Sequence, residues 1–455
     1  MSSSRVGQVP LVVHENAADI VAFYRHSPVS LAQFLNDVAL VATLLPAGQR
    51  LLNAATDRYH FTVGFAAAAL ARCLTVLPSS YAPEAIKRLQ DEGPVFCLGD
   101  ADVPVALPKI PFPRLPPFDR SPAPSALCVP SLPADQPIAT VFTSGTTGVS
   151  VGHHKTWGSL VEGACGEAQR LGLARGCALV GTVPPQHMYG LESTVMLGLH
   201  GGGVVSAERP FYPHDIVVAL SAVPRPRLLV TSPVHLRALL TSGLELPATD
   251  ALLCATAPLP QALAEEAEQR FNAPLYEIYG ATEAGQMASR RPARDPLWEL
   301  LPGLVLDERQ GQFWVSGGHV REPTPLNDLI TPHDARRFVL EGRGNDVVNV
   351  AGKRSSLAFL EQQLLAIPGV LDGVFYMPDE DVAGPVARLM AFVVAPGLTP
   401  ADLDLALRSR IDPAFLPRPL YFVDSLPRLP TGKLPLATLK AWISDLSQGA
   451  SRGRA

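Results

Sequence analysis

The chain has 455 residues, of which 47% are hydrophobic and 17% are charged. This composition is typical of a globular protein, and the length exceeds what one hydrophobic core usually serves, so two or more domains are expected. The formal net charge of −5 excludes the broad basic field that nucleic acid or an anionic membrane surface would require.

The amino-terminal residues 1–16 lack a basic start followed by an apolar run, so no secretory signal is predicted. The most apolar stretch, residues 61–77, is interrupted by Arg72 and is too short to span a bilayer, and it is predicted to form a buried helix. The cysteines show no paired C-x-x-C spacing, which argues against a disulfide framework and against a zinc site. We therefore expect a cytoplasmic protein.

Alternating secondary-structure signals begin near the amino terminus. Ser30 and Gln33 have the spacing of a capping box, which predicts that a helix starts there. Further along the chain, β-rich runs alternate with helical candidates. Strands are predicted at 138–143, 178–183, 227–231 and 251–255, and helices at 191–199, 216–222 and 261–271. This alternation predicts an α/β fold in which parallel sheets are flanked by helices.

Three further regions depart from this alternation of strands and helices. Residues 103–137 are so rich in proline that neither a helix nor a central strand is expected, and they are predicted to form an extended connector over the surface. After Arg291, glycine turns separate short alternating stretches at 304–307 and 312–315, which predicts a small antiparallel β subdomain. The final part of the chain mixes predicted helices with predicted strands and favours a separate α+β domain. Its helices are predicted at 359–366 and 402–411, and its strands at 373–377 and 389–394.

The first motif that could carry chemistry is Thr143-Ser144-Gly145-Thr146-Thr147-Gly148, directly after a predicted strand. Its glycines allow close backbone approach to a ligand, and its hydroxyl and amide groups can donate to phosphate oxygens. It differs from the Walker loop because no lysine follows Gly148 at the required spacing. Taken alone, such a sequence is more often an ordinary surface turn.

Three other motifs follow in order. Tyr279-Gly280-Ala281-Thr282-Glu283 ends a predicted strand with a hydroxyl beside a carboxylate, which suits one phosphate contact and one magnesium ligand. Gly342-Arg343-Gly344-Asn345-Asp346 continues to Gly352-Lys353-Arg354, and the loop from Pro427 to Lys433 presents one lysine beside a glycine. Each motif alone has a plain structural explanation, since a lone lysine on a loop is usually only solvated.

Together, in this order and spacing, the four motifs resemble the superfamily of adenylate-forming enzymes. This superfamily includes acyl- and aryl-CoA synthetases, the adenylation domains of peptide synthetases and firefly-type luciferases. The resemblance extends from about Ile138 to Lys440. It implies that ATP and Mg²⁺ are cofactors and that a carboxylic acid is activated as an acyl-adenylate, with release of pyrophosphate, before the acyl group passes to a thiol.

The resemblance also implies a division of the chain. Residues 1–342 would be an N-terminal adenylation domain of parallel sheets flanked by helices, with the small antiparallel subdomain. Residues 343–455 would be a small mobile α+β C-terminal domain that turns about a hinge near Asn345, where the family usually has aspartate or lysine. After rotation, Gly352 and Arg354 would face the tunnel that admits the thiol.

By the same resemblance, the residues of the motifs have roles in adenylation. The loop Thr143 to Gly148 would wrap the ATP phosphates, Thr282 would contact the α-phosphate and Glu283 would bind Mg²⁺. Lys433 would bridge the substrate carboxylate and the α-phosphate. His187 would gate the acyl pocket, with a purely structural histidine as the alternative.

The remaining assignments concern the nucleoside. Asp328 and Arg343 would contact the ribose, and Tyr279, followed by Gly280 of the same motif, would stack near the adenine. Ala257, in the loop 255–258, would lie along the adenine and the acid.

One departure from the family pattern concerns the phosphate loop. The family continues this loop with proline and lysine, whereas this chain has Ser150 and Val151, so one pyrophosphate contact is missing. Lys155 lies four residues on and would point to the same face as Val151 if the segment is extended. The hypothesis is that Lys155 replaces that contact; the alternative is that Mg²⁺ and hydroxyls suffice.

The compact amino-terminal part, which includes Asp57-Arg58-Tyr59 and Leu77-Pro78-Ser79-Ser80, is similar, together with Lys155-Thr156-Trp157, to small ligases of bacterial aryl-polyene pigment pathways. This implies an aryl acid such as a hydroxybenzoate, passed to the phosphopantetheine thiol of an acyl carrier protein. An aryl- or acyl-CoA ligase that uses CoA as acceptor is the alternative. An alternative of another class is a non-catalytic binding protein on the same scaffold, against which Glu283 and Lys433 argue and for which Val151 argues.

Overall fold

The computed structural model describes residues 7–78, 81–99, 103–115, 128–143, 151–343, 347–350, 353–378, 388–429 and 432–452. This part of the chain forms two large sheets and four smaller ones, with helices packed on them. Among these residues, no helix is both long enough and apolar enough to cross a bilayer. The mixed α/β fold class that the sequence predicts is confirmed.

The first large sheet has six strands. They are β4 (Arg50–Asn53), β5 (Leu74–Leu77), β6 (Val95–Gly99), β7 (Lys109–Pro111), β9 (Pro137–Thr143) and β10 (Val151–Thr156), in the spatial order β10-β9-β5-β4-β6-β7. Five of them are parallel, and β10 alone pairs antiparallel with β9, with Val151 opposite Thr143. The predicted phosphate loop therefore joins two neighbouring strands, while its residues 144–148 lie outside the described part of the chain.

The second large sheet has eleven strands. They are β2 (Ile20–Tyr24), β3 (Ser27–Ser30), β11 (Ala178–Gly181), β12 (Val204–Ser206), β13 (Arg227–Thr231), β14 (Ala251–Cys254), β15 (Leu275–Ala281), β16 (Gly285–Arg290), β17 (Trp298–Leu300), β21 (Asp328–Pro332) and β22 (Arg337–Arg343). Their order is β21-β22-β17-β16-β15-β14-β13-β11-β12-β2-β3. The run from β15 to β2 is parallel, and antiparallel strands extend it at both ends.

Helices cover both large sheets and also build the C-terminal part. They are α1 (Leu31–Ala42), α2 (Arg58–Leu70), α3 (Pro83–Asp91), α4 (Trp157–Leu171), α5 (Met188–Gly190), α6 (Leu197–His200), α7 (Pro213–Ser221), α8 (Pro233–Thr241), α9 (Gln261–Phe271), α10 (Leu357–Leu365), α11 (Pro400–Arg408) and α12 (Leu436–Arg452). A π-helical segment, Leu191–Met196, joins α5 to α6. A 3₁₀ turn, Pro413–Phe415, follows α11.

The four smaller sheets complete the strands. They pair β1 (Gln8–Pro10) with β8 (Ser131–Pro133), β18 (Leu304–Arg309) with β19 (Gln312–Gly317) and β20 (Val320–Pro325), β23 (Val347–Val350) with β24 (Lys353–Ser356), and β25 (Asp372–Tyr376) with β26 (Met390–Val394) and β27 (Leu420–Phe422). The antiparallel subdomain expected after Arg291 is confirmed by β18, β19 and β20. Helix α10 and strands β25 and β26 form a separate hydrophobic cluster, as expected of an α+β unit.

Local signals placed most element starts well. Ser30 caps α1, since its hydroxyl accepts the Gln33 backbone N–H at 3.2 Å. The reciprocal half of the predicted capping box is wrong, because the Gln33 side chain instead donates to Asp37 at 2.7 Å. A buried carboxylate within the same helix competes successfully for that amide.

Two predicted segments need correction. Residues 61–77 are not one helix, because α2 ends at Leu70 and β5 begins at Leu74, after Arg72 adopts a φ of 56°. The proline-rich region 103–137 is not simply a surface connector. Its residues Val103, Val105 and Leu107 are buried in the core, and short strands form at the edge of a sheet, where proline is tolerated.

Arg58 fastens α2 to the carboxyl ends of two strands. Its side chain is fully buried and donates hydrogen bonds to the carbonyl oxygens of Gly181 at 2.9 Å, Val183 at 2.8 Å, Glu208 at 2.7 Å and Ser206 at 3.3 Å. Burial lowers the pKa of this guanidinium to about 9, so it remains charged at neutral pH. It therefore fixes the backbone that leads from β11 towards the proposed site.

We expect Arg58→Met to lower the free energy of unfolding by about 3 kcal/mol or more, because it leaves several buried carbonyl groups without a donor. Urea unfolding followed by circular dichroism measures this, with Arg88→Met on the exposed side of α3 as the matched control. An Arg58 variant as stable as the control would show that these hydrogen bonds do not hold the strand ends.

Candidate active site

The candidate site is built where four neighbouring parallel strands end. His187 follows β11, Ser232 follows β13, Ala257 follows β14, and the turn of Thr282 and Glu283 follows β15. These strands are adjacent in the order β15-β14-β13-β11. Since the carboxyl ends of parallel strands meet at one edge, the topology brings the predicted His187, Ala257 and Thr282–Glu283 turn, together with Ser232, to the same side of the sheet.

The predicted ribose contacts lie next to each other. The Tyr279 hydroxyl donates to the Asp328 carboxylate at 2.6 Å, and Asp328 is the register partner of Arg343 across β21 and β22. The Tyr279 ring is 8% exposed and packs against Trp298 and Phe338. In the described contacts, the Tyr279 hydroxyl orients the Asp328 carboxylate. Stacking of the Tyr279 ring on adenine stays a prediction.

The loop after β14 is held in an unusual conformation. Thr256 has a φ of 86°, a left-handed value that a β-branched residue adopts only at a cost. The loop is fixed where it meets α9, since Leu259 donates its backbone N–H to the Glu277 carboxylate at 3.2 Å, and Glu277 is paired with Arg290 at 2.7 Å. This support presents the half-buried Ala257 at the sheet edge.

His187 and Lys433 interact electrostatically although they are far apart in the sequence. Burial, the charge of Lys433 and then that of Arg209 lower the pKa of His187 to about 4. The imidazole is therefore neutral at physiological pH. Lys433 therefore lies near enough to the segment after β11 for its charge to act on His187.

The loop that carries Lys433 is itself braced. Arg428 forms a two-pronged ion pair with Asp372, with both N–O distances 2.7 Å, and also donates to the Gly432 carbonyl at 3.1 Å. Leu429 donates its backbone N–H to the Lys433 carbonyl at 2.8 Å. Paired arginine and carboxylate groups of this geometry are strong and directional, so these contacts hold the described residues Arg428, Gly432 and Lys433 together.

The same loop also contacts the N-terminal part of the chain. Gly432 is buried and has a φ of 80°, and a Cβ placed on it would lie 3.3 Å from the Ser232 hydroxyl oxygen. Arg237 in α8 donates to the Val370 carbonyl at 3.3 Å. The loop of Lys433 is therefore held against the strand ends of the large sheet.

A set of buried polar groups lies behind the Thr282–Glu283 turn. Lys155 is 7% exposed and donates to the Glu283 carbonyl at 2.8 Å. The Gln286 side chain donates to Glu167 at 3.0 Å, and its backbone N–H donates to Glu192 at 3.4 Å. Burial raises the pKa of Glu192 to about 8 and that of Glu167 to about 7, and burial lowers the pKa of Lys155.

Sequence reasoning missed Glu167, Glu192 and Gln286. For Glu192 the available signal was an acidic residue within a largely apolar helical segment, because a carboxylate is rarely buried unless it is paired. Glu167 and Gln286 carried no such signal. Lys155 does share the strand face of Val151, which is 51% exposed. Its ammonium, however, contacts the backbone of the predicted magnesium ligand, which differs from the hypothesis that Lys155 reaches the pyrophosphate.

Several predicted residues cannot be placed in this geometry. Ser144 to Gly148, Asn345 and Gly352 lie outside the described residues. For Thr143, Arg343 and Arg354 only the backbone is described, within β9, β22 and β24 respectively. Gly280 lies at the end of β15, where a Cβ would come within 2.7 Å of the Gly285 carbonyl oxygen. Its lack of a side chain allows the tight approach of β16.

The residues that are described fit a nucleotide and a magnesium ion. Glu283 offers carboxylate oxygens, which hard Mg²⁺ prefers, beside the hydroxyl of Thr282 on a half-buried turn. Asp328 offers a fixed acceptor suited to sugar hydroxyls. The exposed Lys433 supplies a positive charge at the same edge of the sheet.

Fold and site together define an adenylate-forming enzyme. The chain belongs to the AMP-binding enzyme family, which it matches over residues 13–308. It is 31% identical over 310 residues to the 4-coumarate–CoA ligase of Rhodobacter capsulatus, covering 65% of this chain and 74% of that protein. It is 26% identical over 346 residues to the 2-succinylbenzoate–CoA ligase of Staphylococcus aureus, covering 69% of this chain and 68% of that protein.

A solved structure has the same fold. The O-succinylbenzoate coenzyme A synthetase of Bacillus subtilis, in complex with ATP and a magnesium ion, superimposes with a TM-score of 0.77 at 20% identity, over 92% of this chain and 96% of that one. The family match and these relatives show that the protein is an AMP-forming acid–thiol ligase.

The buried Glu167 gives a stability prediction. Burial raises the pKa of its carboxyl from 4.5 to about 7. Between these values the unfolded chain has lost the proton that the folded chain keeps, so the contribution of this group to stability falls as the pH rises and is fully lost above pH 7. We expect Glu167→Gln to be more stable than wild type by about 3 kcal/mol at pH 8 and by little near pH 5.

Urea unfolding at the two pH values measures the difference. Glu162→Gln is the matched control, because Glu162 lies on the same helix with its side chain 45% exposed. A Glu167→Gln difference that does not change with pH would contradict the assigned burial effect.

His187 gives a pH prediction for catalysis. Because its pKa is lowered to about 4 by burial and by the charges of Lys433 and Arg209, its imidazole does not titrate in the neutral range. We expect His187→Asn to lower adenylation without changing the shape of the pH profile between about pH 5.5 and 8. A wild-type step near pH 6.5 that disappears in the variant would show that His187 titrates in that range.

Proposed function

We propose that the chain joins an aryl carboxylic acid to the phosphopantetheine thiol of CoA, through an acyl-adenylate. The observation that carries the proposal is that three sets of groups meet at one sheet edge. They are the Thr282–Glu283 turn, the Tyr279–Asp328 pair, and Lys433, whose charge lowers the pKa of His187.

In the first step a carboxylate oxygen of the acid attacks the α-phosphorus of ATP. The bond from that phosphorus to the bridging oxygen breaks, and pyrophosphate leaves with the bonding electrons. Lys433 stabilises the negative charge that gathers as two anionic groups approach, and Thr282 donates to the α-phosphate. Asp328, oriented by Tyr279, accepts hydrogen bonds from the ribose hydroxyls.

Glu283 would hold Mg²⁺, which neutralises phosphate charge when it is bound. The phosphate loop from Thr143 to Gly148 would wrap the phosphates. The neutral His187 excludes water and shapes the mouth of the acyl pocket without exchanging a proton at physiological pH.

In the second step the thiolate sulfur attacks the acyl carbonyl carbon of the adenylate. The carbon–oxygen bond to phosphate breaks, and AMP leaves. We propose that residues 343–455 form a C-terminal domain that turns about a hinge near Asn345 on the N-terminal domain of residues 1–342. Gly352 and Arg354 then line the path of the pantetheine, and this motion contributes to the limit on turnover.

The relatives support the choice of acid and acceptor. Both are named as CoA ligases, and their acids, 4-coumarate and 2-succinylbenzoate, carry an aromatic ring. We propose a small aryl acid of the hydroxybenzoate or cinnamate type for this chain. The sequence-based preference for an acyl carrier protein of an aryl-polyene pathway finds no support in these relatives and stays a prediction.

We place the reaction in the cytoplasm, where ATP and CoA are available. The cysteines of this chain are unpaired, in keeping with a reducing compartment.

Loss of Lys433 is the direct test of adenylation. We expect Lys433→Ala to lower acid-dependent ATP–pyrophosphate exchange by about 100-fold or more, because no other described cation is proposed to bridge the two reacting anions. Exchange is measured with a panel of hydroxybenzoates, cinnamates and fatty acids, with Lys87→Ala on α3 as the control. Exchange by Lys433→Ala at the wild-type rate would contradict the mechanism.

The acceptor is decided by a separate transfer assay. The acid that gives the fastest exchange is supplied with ATP and either CoA or a holo acyl carrier protein, and thioester is measured by mass. Faster transfer to CoA supports the proposal, and transfer to the carrier protein alone would replace it with the carrier-protein ligase.

A further inference from the structure

The turn that carries Thr282 and Glu283 is held from behind by buried side chains that the proposed mechanism does not use. We call Lys155, Glu192 and Gln286 the turn clamp. Lys155 comes from β10 of the six-stranded sheet, whereas Glu192 comes from the π-helical segment after α5. Gln286 lies on β16, the strand that follows the turn.

The clamp holds the turn on both of its sides. On the incoming side, the Lys155 ammonium donates to the Glu283 carbonyl at 2.8 Å. On the outgoing side, the Gln286 backbone N–H donates to the Glu192 carboxylate at 3.4 Å. The Gln286 side chain is anchored in turn by Glu167 at 3.0 Å and by the Ser193 hydroxyl at 3.3 Å.

The packing at this point is tight. Gly285 has a φ of 83°, and a Cβ built on it would lie 2.7 Å from a carboxylate oxygen of Glu192. Glu192 is 4% exposed and Gln286 is 2% exposed. The turn therefore has little freedom to shift as long as the clamp is intact.

Such a cluster is costly if it serves only to fill space. Transfer of Lys155, Glu192 and the neighbouring Glu167 from water to a protein interior is unfavourable, and apolar residues of similar volume often stabilise a fold at least as well. The ammonium of Lys155 also ends on one backbone atom of the residue whose carboxylate is proposed to hold Mg²⁺. When this carbonyl group is held in place, the Cα atom of Glu283, from which the side chain extends, is held as well.

We propose that Lys155 is a positioning residue that holds Glu283 in the geometry required for Mg²⁺-bound ATP, rather than a substitute for the missing pyrophosphate contact. This inference rests on the proposed function, because it takes Glu283 as the magnesium ligand. Lys155 acts through the Glu283 backbone and touches neither the substrate nor the reacting atoms.

Charge alone predicts the opposite effect, so the two explanations can be separated. Removal of a cation near a metal ligand should tighten Mg²⁺ binding if electrostatics dominated. Lys155→Met also leaves the buried Glu192 carboxyl group without its neighbouring cation, and Glu192→Gln removes that carboxyl group. The double variant Lys155→Met with Glu192→Gln therefore isolates the loss of positioning.

The test measures acid-dependent ATP–pyrophosphate exchange as a function of Mg²⁺ concentration. We expect Lys155→Met to raise the Mg²⁺ concentration for half-maximal rate by about 10-fold or more, as loss of a supporting partner of a metal ligand typically does. Formation of thioester from a chemically supplied acyl-adenylate should stay near the wild-type rate, because that half-reaction needs no Mg²⁺-bound ATP. Lys87→Met on α3 is the control for loss of a lysine.

Melting temperatures separate positioning from stability. We expect the double variant to regain most of the melting temperature lost by Lys155→Met while keeping the raised Mg²⁺ requirement. If the double variant regains both, or if both half-reactions fall equally in Lys155→Met, Lys155 is only structural and the proposal fails. A lower Mg²⁺ requirement in Lys155→Met would also overturn it.

Calorimetry of ATP binding with and without Mg²⁺ keeps this test independent of the acid. If wild type shows no exchange with any acid, the proposed function fails. The clamp is still tested in that case, since the proposal requires that Mg²⁺ strengthens ATP binding less in Lys155→Met than in wild type. Equal strengthening in the two proteins overturns it.

Discussion

The parallel arrangement of β15, β14, β13 and β11 is the constraint on which the rest of the molecule depends. Parallel strands send all their carboxyl ends to one edge, so four separate loops of the chain must meet there. The loops bring a hydroxyl and a carboxylate after β15, a strained segment after β14, the Ser232 hydroxyl after β13 and a histidine after β11. The C-terminal lysine then needs only to be held against this edge.

Buried polar groups fix the positions of these loops relative to one another. Arg58 secures the backbone after β11, Glu277 secures the loop after β14, and Lys155 secures the turn after β15. In each case a charged side chain is bonded to backbone atoms of a loop that carries a proposed ligand. Low dielectric strengthens these bonds and penalises their loss, so the loops are held more firmly than their exposure alone would suggest.

The sequence predicted the regular elements well because their signals are local. The strand 227–231 and the helix 261–271 were predicted with the bounds that the structure has. The proximity of Asp328 and Arg343, which the family resemblance implied, follows from the register of β21 and β22. Residues 61–77 were mispredicted, since apolar content cannot distinguish a buried helix from a helix followed by a strand.

The contact between Lys155 and the Glu283 carbonyl was missed for a different reason. Its partners Glu283, Glu192 and Gln286 are distant in sequence, and strand alternation gave only the face on which the side chain lies. Whether an ammonium on that face meets phosphate, water or a backbone carbonyl depends on how the six-stranded sheet packs against the eleven-stranded one. That information is tertiary, and no local pattern contains it.

We propose that the groups at the sheet edge together bind an acyl-adenylate. A crystal structure of the protein with a non-hydrolysable sulfamoyl analogue of a hydroxybenzoyl-adenylate tests it most directly. We expect the ribose hydroxyls at Asp328, the sulfamoyl oxygens at Thr282 and Lys433, and the aryl group beside His187. An analogue bound elsewhere, or a ribose that does not approach Asp328, would contradict the claim.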